Sequence, residues 1–240
     1  MSPFGVHNIA KVGFEMGRKP GDWYGAQAIC TALQTLNEKY KPFDSFKMVV
    51  CKDGNIFFDQ IEKTLKERKG NGVFISVPVM LGLNAIQPEY LECLKQVFLF
   101  ESTLGICGGE RHKALYFVGI VNPAAEDPKL LFLDPHFVQD SNQSEPLKAW
   151  RSASTKLPIP IQNQSVPIKL STYHCNELRT MSLSKISTGL AIGFYVSNIE
   201  QFNRFKLKLT AIAKMEHSFF SVFEKSSDSP QYLYEENLKK

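Results

Sequence analysis

The chain has 240 residues, 43% of them hydrophobic and 22% charged, enough to bury one substantial core, so one domain over 1–225 with a mobile polar tail over 226–240 is expected. Its 28 basic and 24 acidic side chains leave a formal charge of +4, and the lysines are scattered rather than gathered into a stripe with aromatics, which argues against nucleic-acid binding. Apolar runs fall short of the roughly 18 residues that span a bilayer, and the first ten residues lack a secretory pattern, so a cytoplasmic protein with no integral membrane segment is expected.

In chain order, Pro20-Gly21-Asp22 reads as a turn with a capping Asp. Ala26, Ile29, Leu33 and Leu36 then share one helical face, predicting a helix over 23–37. Residues 46–51 are apolar and β-rich, Asp53-Gly54-Asn55 turns the chain, and Ile61 and Leu65 mark a helix over 58–68. The run Val73-Phe74-Ile75-Ser76-Val77-Pro78-Val79 predicts a buried strand, and helix resumes over 89–98. Residues 114–121 and 130–133 predict adjacent antiparallel strands, and 189–196 a third strand completing a central sheet. The stretch 140–164, rich in Ser, Asn, Gln and Pro, reads as a surface loop, and a last helix is expected over 199–214. The order of elements predicts an α+β fold with helices packed on a mainly antiparallel sheet.

Five cysteines, Cys30, Cys51, Cys93, Cys107 and Cys175, are odd in number and irregular in spacing. With no Cys-x-x-Cys pair and no histidine doublet beside them, reduced thiols are expected, and no metal or organic cofactor is implied.

The stretch Leu131-Phe132-Leu133-Asp134-Pro135-His136 ends a predicted strand in an Asp and a His two positions apart, which period-two alternation sends to one face. A carboxylate beside an imidazole can fix its tautomer and stabilise the imidazolium formed when the ring accepts a proton. Asp134 would orient and His136 would act as base. Equally, Asp134 can cap the turn that Pro135 begins, with His136 merely exposed. Upstream, Leu104-Gly105-Ile106-Cys107-Gly108-Gly109-Glu110 reads as a glycine loop whose paired glycines admit a close approach by a partner chain.

These motifs together resemble the autophagin cysteine peptidases: Gly105-x-x-Gly108-Gly109, then Ala114-Leu115-Tyr116-Phe117-Val118-Gly119, then Leu133-Asp134-Pro135-His136. The resemblance extends through Gly21-x-Trp23-Tyr24-Gly25, Leu81-Gly82-Leu83-Asn84, Tyr173-His174-Cys175, Met181-Ser182 and Ala191-Ile192-Gly193-Phe194. It implies a papain-like fold and cleavage of a ubiquitin-like autophagy modifier after a glycine. It also implies release of that modifier from its phosphatidylethanolamine conjugate, so both forms are the expected partners. By motif, Asp134 and His136 match the orienting acid and base of a Cys-His-Asp triad. Trp23 matches a tryptophan lining the groove for the glycine tail, and Gly108 and Gly109 match its mobile cover.

The family's nucleophile lies in an Asp-Cys-Gly-Trp-Gly-Cys type segment with no counterpart here, so the papain-like fold is expected to be incomplete and this stretch inactive alone. Cys30, inside its predicted helix, reads as buried filler, and so do Cys51, Cys93 and Cys175. Cys107, in the glycine loop, is the more tempting substitute, with filler the favoured reading. A catalytically silent module that binds the same ubiquitin-like protein is the alternative.

Overall fold

The computed structural model describes residues 3–40, 46–67, 72–110, 113–137, 177 and 179–228. The expected surface loop over 140–164, Cys175, His174 and the tail from 229 onward lie outside them. In chain order the elements are α1 (Val6–Glu15), α2 (Ala26–Lys39), β1 (Phe46–Val50), β2 (Asn55–Phe57), α3 (Phe58–Glu67), β3 (Gly72–Met80) and α4 (Leu91–Phe98). They continue with β4 (Thr103–Glu110), β5 (Lys113–Val121), β6 (Lys129–Leu133), β7 (Arg179–Ser182), β8 (Gly189–Val196), α5 (Ile199–Ala213) and β9 (Ser221–Phe223). Seven strands form one sheet in the order β1-β3-β8-β4-β5-β6-β7, while β2 and β9 pair separately. Among the described residues, β1 and β3 alone run parallel in the large sheet, and its other neighbours are antiparallel. The α+β architecture with a mainly antiparallel sheet is therefore the one observed.

Period-two alternation divides the sheet into two unlike faces. On one, Val73, Ile75, Val77 and Val79 of β3 stand opposite Val196, Phe194, Ile192 and Leu190 of β8, and the row continues through Ile106 and Phe117. All eight β3 and β8 residues, with Ile106 and Phe117, belong to the buried core. The helices that cover this face are amphipathic for that reason. In α5, Phe202, Phe205, Leu209 and Ile212 recur every three or four residues and are the buried ones, and Asn198 caps the helix by accepting from the Gln201 amide at 2.9 Å. Phe205 stacks on Phe100 with ring centres 5.5 Å apart and meets the edge of Phe194 at 5.4 Å. Each such ring, fully buried, contributes about 2–3 kcal/mol of hydrophobic stabilisation.

The second face carries Ser76, Pro78 and Met80 of β3, Gly189, Ala191 and Gly193 of β8, Cys107 and Gly109 of β4, Ala114 and Tyr116 of β5, and Leu133 of β6. Helix α2 covers its β1–β3 side, where the Cys30 thiol meets the Ser76 hydroxyl at 3.1 Å. Beyond β8 the same face surfaces as exposed Cys107, Ala114, Val118 and Leu133. At the sheet's outer margin, buried Asn37 of α2 accepts from the Met48 amide at 2.9 Å and donates to the Phe46 carbonyl at 3.4 Å, which ties off edge strand β1.

Two expectations are corrected, and one helix is added to those expected. Asp22 does not cap α2: its carboxylate accepts from the Lys19 amide at 2.7 Å, Gly25 occupies the N-cap, and the helix starts at Ala26, leaving Trp23 ahead of it. Residues 104–110 are not a loop but most of β4, because β5 and β8 supply hydrogen-bonding partners on its two sides. The sequence also gave no sign of α1, which buries only Val12 and Gly13 and is held by packing on α2, where Val12 joins Ala32 and Leu36.

Candidate active site

Strand β6 ends at Leu133, and the next three residues make a turn rather than a further strand pleat. Asp134 Oδ1 accepts from the His136 backbone amide at 3.0 Å, an Asx turn of the kind Asp favours ahead of proline, and the same oxygen lies 2.6 Å from His136 Nδ1. The alternation argument for this pair is thus corrected in its reason. Asp134 and His136 do meet, but through a local turn in which one carboxylate oxygen both caps the backbone and holds the ring. The two sequence readings, turn cap and imidazole partner, are both realised.

The electrostatics fix the ring's tautomer. The His136 amide, then the His136 ring, with a smaller contribution from Lys113, hold the Asp134 carboxyl below its ordinary value against some desolvation. An ionised carboxylate only accepts, so Nδ1 is the nitrogen that carries the proton in a neutral imidazole. The lone pair then sits on Nε2, which has no hydrogen-bond partner among the described residues. Asp134 is largely enclosed, its side chain 12% exposed, whereas that of His136 is 46% exposed. An anchored acid holding an accessible imidazole can take a proton from a nucleophile placed beside Nε2.

The glycines of the site have packing reasons of their own. A Cβ on Gly108, which faces the core, would come within 2.4 Å of Leu190 Cδ2, and one on Gly109 would lie 1.7 Å from the Lys113 carbonyl oxygen. The Gly109 carbonyl also accepts from the Ser187 amide at 2.8 Å. Both glycines therefore lie in a paired strand, not in the free loop expected of a cover. Gly105 adopts φ +138°, and a Cβ there would lie 2.5 Å from the Phe117 carbonyl oxygen and 2.7 Å from the Tyr116 ring. Tyr116 lies in that space, its hydroxyl donating to the Leu104 carbonyl at 2.5 Å.

Trp23 is 71% exposed and makes no hydrogen bond or ring contact among the described residues, so packing does not account for it. It precedes the start of α2, where Ala26, Gln27 and Ala28 join Pro78 and Met80 around a cavity of about 210 Å³. Pro78 begins a row that crosses the second face through Ala191, Cys107 and Tyr116 to Leu133, three residues before His136. Trp23 itself does not line that cavity, and among the described residues no hydrogen bond or ring contact joins it to His136.

None of the described cysteines is built as a nucleophile. Burial pushes the thiols of Cys30 and Cys93 up and that of Cys51 to about 12. Cys107 is exposed as a residue, yet desolvation of its sulfur raises that thiol as well. A reactive thiol needs the opposite shift. Cys107 pairs with Tyr116, and Tyr116 with Leu133, so two strand spacings, about 10 Å, separate its backbone from the end of β6. Among the described residues no group of three or more His, Cys, Asp or Glu side chains could hold a metal ion, and no helix is long and apolar enough to cross a membrane.

The structure is a mixed, mainly antiparallel sheet with helices packed on it, and beyond the end of β6 a carboxylate holds an imidazole. Residues 1–208 match the family profile described as the peptidase C54 catalytic domain. The chain is 30% identical over 204 residues to cysteine protease atg4da of Danio rerio, covering 84% of this chain and 37% of that protein. It is 28% identical over 237 residues to cysteine protease ATG4D of Xenopus laevis, covering 93% and 45%, and 28% identical over 233 residues to cysteine protease ATG4b of Arabidopsis thaliana, covering 88% and 44%. The chain belongs to the peptidase C54, or autophagin, family of cysteine peptidases, as its motifs implied. It spans less than half the length of these three relatives.

Proposed function

We propose that Asp134 and His136 are the orienting acid and general base of a cytoplasmic autophagy cysteine peptidase. Its substrate is a ubiquitin-like modifier, cut after a glycine near its carboxy terminus and also released from phosphatidylethanolamine. The observation that carries this reading is the single Asp134 oxygen that holds both the His136 amide and Nδ1, leaving Nε2 as the basic nitrogen.

In the reaction, Nε2 takes the proton of a cysteine thiol and the thiolate attacks the carbonyl carbon of the substrate's glycine. The amine of the following residue, or of the lipid headgroup, leaves with that proton. Water, deprotonated by the same nitrogen, then releases the acyl group. Trp23 lines the groove for the glycine tail, a role that its exposure supports. Gly109 belongs to the floor of that groove and Gly108 backs it from the core side, rather than the two forming a moving cover.

The raised thiols of all four described cysteines favour a nucleophile supplied by polypeptide that is not among the described residues. The small side chains of the second face between α2 and the Asp134 turn leave room for it. The same observation supports a second reading, in which this stretch binds the modifier without cleaving it.

The 240-residue chain, incubated with a modifier bearing residues beyond its glycine, is expected to retain it in a pull-down and to release no cleaved product. Cleavage lost on Cys107→Ala would overturn the assignment of the nucleophile. In a longer form that cleaves, His136→Ala is expected to lower kcat at least about 10³-fold. A rate kept within tenfold would remove His136 from the mechanism.

A further inference from the structure

Arg179 takes no part in the acid–base reading of the site, yet it lies against it. It opens β7 opposite Phe132 of β6, two residues before Asp134. Its Nη1 lies 4.0 Å from Asp134 Oδ2, the oxygen that His136 does not use. Its guanidinium carbon stands 4.4 Å from the centre of the Phe137 ring, and Nη2 lies 3.7 Å from Glu177. One flat cation thereby touches the residue two before His136 and the residue just after it. Among the described residues, pairing of β6 with β7 stops at Phe132, and the Arg179 side chain reaches from there toward the Asp134 turn.

We propose that Arg179 is a positioning residue that brackets the turn between Asp134 and Phe137, keeping the Nδ1–H of His136 on the carboxylate and Nε2 facing outward. The inference rests on the reading of Asp134 and His136 as orienting acid and base. A lysine in this place would keep the charge but lose the planar group that lies on an aromatic ring while facing a carboxylate. Arg179 is one-third exposed, so water screens its attraction for Asp134 and the effect is a few-fold bias rather than an on–off switch. Among the described residues, the other charges that face this carboxylate and guanidinium are Lys113 on β5 and Glu177.

The test is nitrogen-15 NMR of histidine-labelled 240-residue chain near neutral pH, with the His136 signals assigned by His136→Gln. The wild-type ring is expected to favour the Nδ1–H tautomer. Arg179→Met is expected to cut the ratio of Nδ1–H to Nε2–H about threefold, the size of an exposed cation–π contact. Arg179→Lys is expected to restore it only in part, and Phe137→Leu to shift it in the same direction as Arg179→Met. A wild-type ring without the Nδ1–H preference would refute the acid–base reading itself. A preference that survives in Arg179→Met would overturn the bracket alone. Should Arg179→Met fail to fold, Phe137→Leu decides the matter, because that ring is 61% exposed and its loss leaves the core intact.

Discussion

The two faces of the large sheet are built from opposite kinds of side chain. The face under α3, α4 and α5 is lined by Val, Ile, Leu and Phe residues that are almost fully buried. The other carries Gly189, Ala191, Gly193, Gly105 and Gly109 in matching positions, and over β4 to β6 it surfaces as Cys107, Val118 and Leu133. Branched and aromatic side chains on the first interdigitate and stabilise the fold. Small ones on the second stabilise little, but they let another polypeptide come close to the backbone. The Asp134 turn follows the β6 end of the second face, so on the proposed reading stability and chemistry fall on different sides of one sheet.

This contrast is sharpened most by a cavity on the packed face. Phe205→Ala removes a ring in contact with Phe100 and Phe194 and is expected to lower unfolding free energy by about 3–5 kcal/mol in urea melts. A loss under about 1 kcal/mol would mean that this face is not the main source of stability. By contrast, Trp23→Ala is expected to leave the same melts within about 0.5 kcal/mol while weakening retention of the ubiquitin-like modifier. If instead the melts moved and binding did not, Trp23 would be a packing residue and the contrast would fail there.

The smallest effect concerns pH. The Asp134 carboxyl is held below its ordinary 3.8 by the His136 amide and ring, so what this contact adds to stability is present above that pH. It is lost only as the pH falls through the lower folded-state value. Carbon-13 titration of the Asp134 carboxyl should give a midpoint under 3.8, and one at or above it would detach the carboxylate from His136.

How much could be read from residues alone depended on how local the cause was. Strand β3, strand β8 and helix α5 were legible because each carries its apolar period within one run. Helix α1 was not, since its exposed Val6 and Phe14 hide the short buried stripe that α2 completes. Strand β4 was misread because its glycines look like a loop until β5 and β8 are beside it. At the site, the Asp-x-His spacing did bring the two side chains together, but through a turn rather than through strand alternation. Arg179 left no local signal: it lies far along the chain and reaches Asp134 only because β7 pairs with β6.

The sequence by itself determined the class of fold, the family and the partnership of Asp134 with His136, because apolar periodicity, motif order and an Asx turn are all properties of short stretches. Only the tertiary structure decided which side of the sheet is packed, that Gly108 and Gly109 sit in a strand, and that Arg179 closes on the Asp134 turn. Those outcomes depend on hydrogen bonds and contacts between strands distant in sequence, and no local pattern of side chains specifies which strands become neighbours.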